Sequence, residues 1–282
     1  SRYFENTEIE IATSLPQERN IKHAIFDHDG TISTLREGWE KIMEPMMVRA
    51  ITGQNYDNID ENVFNQVICN VREYIDKTTG VQTLVQMKGL IDMINDFGLI
   101  AKNEILNEFE YKGIFNKDLL SMVSGRLKKL NSPELSIEDF TIKNAVSFLE
   151  ELYNRGILLY LASGTDQKDV EREAKILGYA YLFKGGIYGS VGDVSKEPKR
   201  IVLERILKNI GVDNTRQIVT FGDGPVEIKE ACKAGSLSIG VASNEEKRYG
   251  LNEVKRKRLI LAGADIIIPD FSQMNQLLKI LF

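Results

Sequence analysis

The chain has 282 residues, of which 43% are hydrophobic and 27% are charged, and its formal net charge is −5. This composition is that of an ordinary globular protein, and it excludes a disordered or fibrous chain. A mildly acidic chain has no general electrostatic attraction to nucleic acid or to anionic lipid, so neither partner is expected. No run of about 18 uncharged apolar residues is present, so no membrane span is predicted.

Residues 1–20 are interpreted as an N-terminal extension, in which Glu8–Ala12 alternates like an added edge strand. Acidic side chains interrupt any apolar segment here, so no signal peptide is predicted. The chain has two cysteines, too few for a disulfide framework. A cytoplasmic location is therefore expected, and the pattern gives no prediction of oligomeric state.

The first predicted strand of the core, Lys22–Phe26, is followed by a long segment with helical periodicity and little strand signal. Its apolar residues recur at helical spacing in four stretches, Trp39–Ile51, Glu61–Ile75, Val81–Phe97 and Lys117–Leu130. The whole segment, residues 35–144, is long enough to be a domain. We therefore predict an inserted, all-helical cap domain at 35–144.

The remainder of the chain alternates strands with helices. Short apolar runs closed by Gly, Pro, Ser or Asp predict buried parallel strands at Ile157–Ala162, Gln217–Phe221, Leu237–Ala242 and Ala264–Pro269. Helical patterns separate them, as at Ile142–Tyr153 and Arg200–Ile210. We therefore predict that residues 21–34 and 145–282 form an α/β core with a doubly wound, Rossmann-like parallel sheet. In such sheets, ligands bind beyond the carboxyl ends of the strands.

Two carboxylates follow the first core strand. Asp27 and Asp29 are two residues apart, so on an extended chain their side chains point the same way. Two adjacent carboxylates repel each other, which costs folding free energy unless a cation or a shared proton relieves the repulsion. Gly30 allows the chain to turn, and the backbone N–H of Thr31 is available to an anion. An aspartate-rich turn without chemistry would look similar.

Further polar residues follow the next strands. Ser163 and Gly164 end the second core strand and open a helix, which is typical of a phosphate site but also of a simple helix cap. Asp223 ends the third strand and Glu227 lies in the first turn of the next helix, so both could complete an oxygen ligand shell for Mg²⁺. Lys196 precedes the helix that leads to this strand, where a cation could hold a phosphate.

In this order, the four motifs resemble those of haloacid dehalogenase superfamily phosphatases. The first motif of that family, Asp-x-Asp-Gly-Thr, matches residues 27–31 in full, and its Ser or Thr motif matches Ser163. The motif lysine matches Lys196, with Lys199 as the alternative. The fourth motif, Gly-Asp-x-x-x-Asp, matches residues 222–227 with Glu227 in place of the last Asp. The helical insertion resembles the cap that one branch of the family carries after the first motif.

The resemblance implies a mechanism. Asp27 would attack phosphorus and form an aspartyl phosphate, and Asp29 would act as the general acid and base. Mg²⁺ would be the cofactor, bound by Asp27, the backbone carbonyl of Asp29, Asp223 and Glu227. Asp29 argues for phosphoryl transfer, because branches of the family with other chemistry lack a carboxylate there.

The same resemblance implies that Ser163, the Gly164 N–H and Lys196 hold the phosphoryl oxygens. Where the chain enters the cap, Arg36 could bind a second anionic group of the substrate and Trp39 could stack on a sugar or other ring; a hinge-packing Trp with a solvated Arg is the alternative. The substrate is expected to be a small phosphorylated metabolite such as a sugar phosphate. A phosphomutase resembling β-phosphoglucomutase would use the same residues, and a non-catalytic protein that binds a phosphorylated ligand is the third reading.

Overall fold

The structure is a computed structural model that describes residues 2–15, 20–130, 135–193 and 195–282. The chain divides into two compact units, one of residues 1–37 with 130–282 and the other of residues 38–129. Residues 1 and 16–19 of the predicted extension, and residues 131–134 of the predicted cap, lie outside the described residues.

The unit of residues 38–129 is helical. Its four α-helices are α1 (Glu40–Thr52), α2 (Glu61–Lys77), α3 (Thr83–Phe97) and α4 (Glu108–Lys129). Their apolar stripes meet in one buried cluster that includes Met43, Met47 and Phe115. Helix α4 begins at Glu108, well before the predicted Lys117. In the part of the chain that is described, no helix is long and apolar enough to cross a bilayer.

The other unit is built on one sheet. Its strands are β1 (Arg2–Tyr3), β2 (Glu10–Ile11), β3 (His23–Phe26), β4 (Leu158–Asp166), β5 (Gly186–Ser190), β6 (Ile218–Gly222), β7 (Leu237–Val241) and β8 (Ile266–Ile268). Its helices are α5 (Ala145–Asn154), α6 (Gln167–Ile176), α7 (Pro198–Ile210), α8 (Pro225–Ala234), α9 (Glu253–Ala262) and α10 (Met274–Leu281). The predicted α/β fold is confirmed.

The strand order of the sheet is β1-β2-β8-β7-β6-β3-β4-β5. All neighbours from β8 to β5 run parallel, and β2 and β1 are added antiparallel at one edge. Strand β3 lies between β6 and β4, so the chain order reverses on either side of it. In open α/β sheets such a switch point leaves a crevice at the carboxyl ends of the strands, and this is where ligands bind.

Residues 137–144 pack with the core, although we predicted the cap to extend to residue 144. Thr34 donates its backbone N–H to the carbonyl of Phe140, and Ile142 donates to the carbonyl of Ile32. The side chains of Phe140 and Ile142 are buried. These backbone bonds tie the segment to the chain that leaves β3, so the compact helical unit is shorter than the predicted insertion.

The N-terminal segment belongs to the core sheet. Glu10 and Ile11 pair antiparallel with Ile267 and Ile266, which covers the edge of β8. Glu10 is buried, and both its carboxylate oxygens accept hydrogen bonds from the guanidinium of Arg256 on α9, with Nη2 at 2.6 Å from Oε1. A bidentate pair of this kind fixes the extension against α9 as well as against the sheet.

Arg256→Ala is expected to destabilise the protein by about 1–3 kcal/mol, because it leaves the buried carboxylate of Glu10 without its main counter-charge. Chemical denaturation gives this free energy of unfolding. Lys233→Ala is the matched control, since its partner Glu230 forms an exposed helical pair and should change stability by less than about 0.5 kcal/mol. Equal effects of the two substitutions would contradict a structural role for the Glu10 pair.

Candidate active site

The carboxyl ends of three neighbouring strands bring the predicted motifs together. Asp27 directly follows β3, and its backbone N–H donates to the carbonyl of Phe221 in β6 at 2.9 Å. Asp223 follows β6, and Ser163 lies in the last part of β4. Because the three strands are parallel and adjacent, their polar side chains meet at one edge of the sheet.

A buried lysine links two of the carboxylates. Lys199 Nζ lies 3.2 Å from Asp27 Oδ1 and 2.7 Å from Glu227 Oε2, and all three side chains are buried. Burial would lower the pKa of Lys199, but the charges of Asp27 and Glu227 raise it above its ordinary value. The ammonium group is therefore a permanent cation beside the carboxylate of Asp27.

The lysine at this position is Lys199 and not Lys196, which the motif match favoured. Lys196 is an exposed side chain whose Nζ lies 3.3 Å from Asp193 Oδ2. Helix α7 begins at Pro198, so Lys199 stands in its first turn, where the helix directs its side chain toward the strand ends. Lys196 precedes the helix and lies on the surface.

Two glycines allow the carboxylates to approach the backbone. Gly30 has φ +73, and a Cβ built on it would lie 2.3 Å from Asp223 Oδ2. A Cβ on Gly222 would lie 2.1 Å from Cγ of Glu227. Any other residue at either position would displace a carboxylate of the site, which is the physical reason for glycine in both motifs.

Further hydrogen bonds hold the side chains of Asp223 and Glu227. Glu227 Oε1 accepts a hydrogen bond from the backbone N–H of Gly224 at 2.7 Å, which caps α8. Asp223 Oδ2 accepts from Nζ of Lys255 at 2.6 Å, and Lys255 also donates to Glu245. These contacts hold the two carboxylates toward Asp27 in a fixed arrangement.

The chemistry of the donor set fits a divalent cation. Asp27, Asp223 and Glu227 can each offer an oxygen such that the three lie within 4.8 Å of one another. Together with Glu245 these are four carboxylates against two ammonium groups, which leaves two formal negative charges. Burial and the charges of Glu227, Asp223 and Asp29 raise the pKa of Asp27 well above its ordinary value in spite of Lys199. Hard oxygen ligands with this charge suit Mg²⁺.

Mg²⁺ is expected to raise the melting temperature of the native protein by about 5 °C at saturating concentration, because an ion that binds only the folded chain stabilises it by mass action. Differential scanning fluorimetry with EDTA and then with Mg²⁺ measures this shift. Asp223→Asn should lose most of it. Asp213→Asn, on the surface, is the matched control and should keep it; an equal shift in all three proteins would contradict the assigned ligands.

The two carboxylate oxygens of Asp29 have different neighbours. Its Oδ2 accepts a hydrogen bond from Thr165 Oγ1 at 2.8 Å, and Ser163 Oγ lies 3.5 Å away. Its Oδ1 lies 3.4 Å from His28 Nδ1 and 3.7 Å from Arg36 Nε. Burial would raise the pKa of Asp29, but the neighbouring His28, the charge of Arg36 and the hydrogen bond from Thr165 lower it well below its ordinary range.

Arg36 is directed into the protein. It was expected to reach a second anionic group of the substrate, but its guanidinium makes a two-point contact with the buried carboxylate of Glu173 on α6, at 2.6 and 3.2 Å. A buried guanidinium needs a counter-charge within the fold, and Glu173 supplies it. Trp39 lies at the start of α1, where it packs against the buried apolar cluster of the helical unit.

The other predicted phosphate-binding residues flank the carboxylates. Ser163 is buried and its Oγ accepts the backbone N–H of Thr165 at 3.1 Å, while Gly164 is half-buried between them. Gly30 turns the chain after Asp29, with its N–H donated to the carbonyl of Ser33. Thr31 is buried, and among the described residues its Oγ1 makes no hydrogen bond.

Sequence reasoning missed Thr165, Glu173 and Lys255. Thr165 is a second hydroxyl residue in the motif that contains Ser163, so its type was a usable signal. Glu173 is a charged residue on the apolar stripe of α6, between Val170 and Leu177 at helical spacing, and such a position indicates a buried partner. Lys255 lies within a run of four basic residues, which gave no sign that one of them is buried.

A comparison with protein-family models matches residues 21–235 to the haloacid dehalogenase-like hydrolases. The match covers most of the chain. It includes the buried carboxylates and the buried lysine at the strand ends, whereas Glu245 and Lys255 lie beyond residue 235. The chain belongs to the haloacid dehalogenase-like hydrolases. The resemblance of the motifs and the expectation of a hydrolase are confirmed, and the helical unit follows the first motif, as in the capped branch. No curated protein is significantly similar to the chain.

Several solved structures share the fold of this haloacid dehalogenase-like hydrolase. A predicted phosphoglycolate phosphatase of Haemophilus somnus 129PT aligns at TM-score 0.54 and 18% identity, covering 92% of this chain and 98% of its own. A β-phosphoglucomutase of Clostridium difficile aligns at TM-score 0.52 and 16% identity, covering 93% and 100%. A haloacid dehalogenase-like hydrolase of Streptococcus pneumoniae aligns at TM-score 0.52 and 16% identity, covering 92% and 98%. At these identities the likeness is one of fold.

Proposed function

We propose that this protein is a Mg²⁺-dependent phosphomonoesterase that hydrolyses a small phosphorylated metabolite through an aspartyl phosphate on Asp27. The observation that carries the proposal is the placement of Asp27. Its carboxylate is buried directly after β3, an interior strand of the sheet, beside the ammonium of Lys199 and the carboxylates of Asp223 and Glu227. A carboxylate held among charges in a crevice of the sheet is arranged for chemistry at that atom.

In the first step, one oxygen of Asp27 attacks phosphorus and the bond from phosphorus to the ester oxygen breaks. Asp29 is ionised in the free protein because its neighbours hold its pKa low, so it takes the proton of the incoming phosphate monoanion and passes it to the leaving alkoxide. Its Oδ2 is oriented by Thr165. Lys199 remains beside Asp27 and neutralises charge on the transferring phosphoryl group. Asp27 becomes an acyl phosphate and the alcohol leaves.

In the second step, water attacks the phosphorus of the aspartyl phosphate. Asp29, now ionised, accepts a proton from that water as the new bond to phosphorus forms. The bond between phosphorus and the Asp27 oxygen breaks, which restores the Asp27 carboxylate and releases inorganic phosphate. The hydroxyl of Ser163 and the backbone N–H of Gly164, at the end of β4, are the proposed donors to the phosphoryl oxygens.

The proposed Mg²⁺ ligands are Asp27, the backbone carbonyl of Asp29, Asp223 and Glu227. When bound there, the ion supplies positive charge to the phosphoryl oxygens and orients the phosphate. Glu227 is longer than the Asp of the family motif, and its Oε1 also caps α8. It therefore contributes to the site through one oxygen while the other positions the helix.

The substrate we propose is a small metabolite carrying one phosphate ester, such as a sugar phosphate. Chemistry at this site needs only a phosphoryl group and a leaving oxygen, so the reaction class does not depend on the remainder of the substrate. The name of the H. somnus protein, a predicted phosphoglycolate phosphatase, adds one candidate compound. Arg36 is unsuited to hold a second substrate anion, because Glu173 already engages its guanidinium.

The test is phosphate release from a panel of esters, with Mg²⁺ and with EDTA. The panel contains sugar phosphates, phosphoglycolate, nucleoside monophosphates and p-nitrophenyl phosphate. Release that requires Mg²⁺, and a clear preference for one compound, is the expected result. Absence of release from every ester, in protein shown to be folded, would contradict the proposal.

A phosphomutase is the second candidate, because one structure of the same fold is named a β-phosphoglucomutase. A mutase would use Asp27 and Asp29 in the same way and return the phosphoryl group to a second hydroxyl of the sugar. Conversion of a sugar 1-phosphate to its 6-phosphate that depends on a trace of bisphosphate would establish it. Free phosphate produced at the same rate as the alcohol, without isomerised sugar phosphate, supports the phosphatase.

A further inference from the structure

A buried ion pair, Arg36–Glu173, lies beside Asp29. Arg36 Nη2 is 2.6 Å from Glu173 Oε1 and Arg36 Nε is 3.2 Å from Glu173 Oε2, and the Glu173 side chain is 0% exposed. The desolvation of two buried charges is expensive, and apolar residues of similar volume often replace such a pair without loss of stability. A pair at this place therefore points to a role in the adjacent site.

The pair faces one oxygen of Asp29. Arg36 Nε lies 3.7 Å from Asp29 Oδ1, and His28 Nδ1 lies 3.4 Å from the same oxygen. The opposite nitrogen of His28 lies 2.8 Å from Tyr179 Oη, so the ring is held in place within the core. On the other side, Asp29 Oδ2 accepts a hydrogen bond from Thr165 Oγ1. The plane of the Asp29 carboxylate is thus set from two sides.

Glu173 determines how strongly Arg36 can interact with Asp29. A guanidinium without another partner would form a direct two-point pair with the nearest carboxylate. Because Glu173 engages two of its nitrogens, Arg36 stays near Asp29 Oδ1 without hydrogen-bonding to it. Within the described residues, Asp29 Oδ1 is buried and accepts no hydrogen bond. One oxygen of Asp29 is therefore oriented by charge but remains available to a proton.

We propose that Arg36 and Glu173, together with His28, are positioning residues that orient the carboxyl group of Asp29 for proton transfer to the leaving oxygen and from the attacking water. This inference rests on the proposed phosphatase function. Arg36 and Glu173 touch neither the substrate nor the phosphoryl group in this role. They act through Asp29, and their effect should appear only in the steps in which Asp29 moves a proton.

The test compares leaving groups in the double variant Arg36→Met/Glu173→Met, which replaces both charges by apolar side chains of similar length. The substrates are p-nitrophenyl phosphate, whose leaving group needs no proton, and the best alkyl ester of the panel, whose leaving group does. The rate of phosphoenzyme formation is measured by rapid quench. It is expected to fall about 10- to 100-fold with the alkyl ester and by less than about threefold with the aryl ester.

The second step gives an independent readout. Because Asp29 also deprotonates the attacking water, the variant should release a rapid burst of p-nitrophenolate close to one per enzyme and then turn over slowly. The matched control is Arg155→Met/Glu151→Met, an exposed Arg–Glu pair at the C-terminal end of α5 with Nε 2.7 Å from Oε1. The control should leave both rates and the burst as in the native protein.

Tyr179→Phe keeps the inference testable if the double variant does not fold. It removes one hydroxyl and frees the ring of His28, and it should produce the same leaving-group dependence with a smaller loss. Equal losses for the two leaving groups, or no loss, in whichever variant folds would overturn the inference. In that case the native enzyme still releases phosphate. If the native protein forms no phosphoenzyme and releases no phosphate, the proposed function fails first.

Discussion

Asp27→Asn is expected to lower phosphate release by at least about 10⁴-fold while leaving the protein folded. The amide keeps the size of the side chain but removes the nucleophilic oxygen, and loss of a covalent nucleophile is among the largest single effects in enzymes. Release of phosphate from the best ester, measured with saturating Mg²⁺, gives the size of the effect.

The melting temperature of Asp27→Asn distinguishes loss of activity from loss of the fold. Burial and the surrounding carboxylates raise the pKa of Asp27, so the ionised side chain costs the native state free energy that a neutral amide does not. The melting temperature of Asp27→Asn without metal is therefore expected to equal or exceed that of the native protein. Asp213→Asn, on the surface, is the control for the substitution. Substantial phosphate release by folded Asp27→Asn would show that Asp27 is not the nucleophile.

Lys199→Met is expected to lower the turnover number about 10²- to 10³-fold, the usual cost of removing one group that stabilises transition-state charge. The side chain lies 3.2 Å from Asp27 and is buried, so no water molecule or mobile side chain can readily replace its charge. Lys196→Met should change turnover by less than about twofold, because Lys196 is exposed and pairs with Asp193. The pair of variants decides between the two lysines of the third motif.

Lys199→Met is also expected to lower the free energy of unfolding, so the measured rate has to be corrected for unfolded protein. Without Lys199, the buried carboxylates of Asp27 and Glu227 lose their shared counter-charge, at a cost of about 3–5 kcal/mol. Circular dichroism at the assay temperature gives the folded fraction, by which the rate is corrected. A corrected rate close to that of the native protein, or a larger loss in Lys196→Met, would contradict the assignment of Lys199.

The parallel sheet and its strand-end motifs could be predicted because both depend on local sequence. A strand buried on both faces is a continuous apolar run, and the core strands from Lys22–Phe26 onward appear as such runs. Strand β5 was missed because Gly186 and Gly189 interrupt its apolar pattern. Parallel topology then places Asp27 and Asp223 on one edge of the sheet, so the acidic site follows from the strands without knowledge of the helices.

The side-chain partners could not be predicted because they depend on packing between distant segments. The choice of Lys199 over Lys196 depends on the residue at which α7 begins, and helix boundaries are the least certain part of a sequence-based prediction. The direction of Arg36 depends on Glu173, which lies far along the chain on α6. Sequence spacing placed Arg36 near the site but could not show that a buried carboxylate would engage it.

The most direct test of the proposed mechanism is to quench the enzyme with acid during turnover of its best substrate and map the phosphoryl group by peptide mass spectrometry. The mechanism predicts one phosphoryl group on the peptide that contains Asp27, lost on treatment with hydroxylamine and absent from Asp27→Asn. Phosphate release without a phosphorylated peptide, or with the phosphoryl group on another residue, would contradict the assignment of Asp27 as the nucleophile.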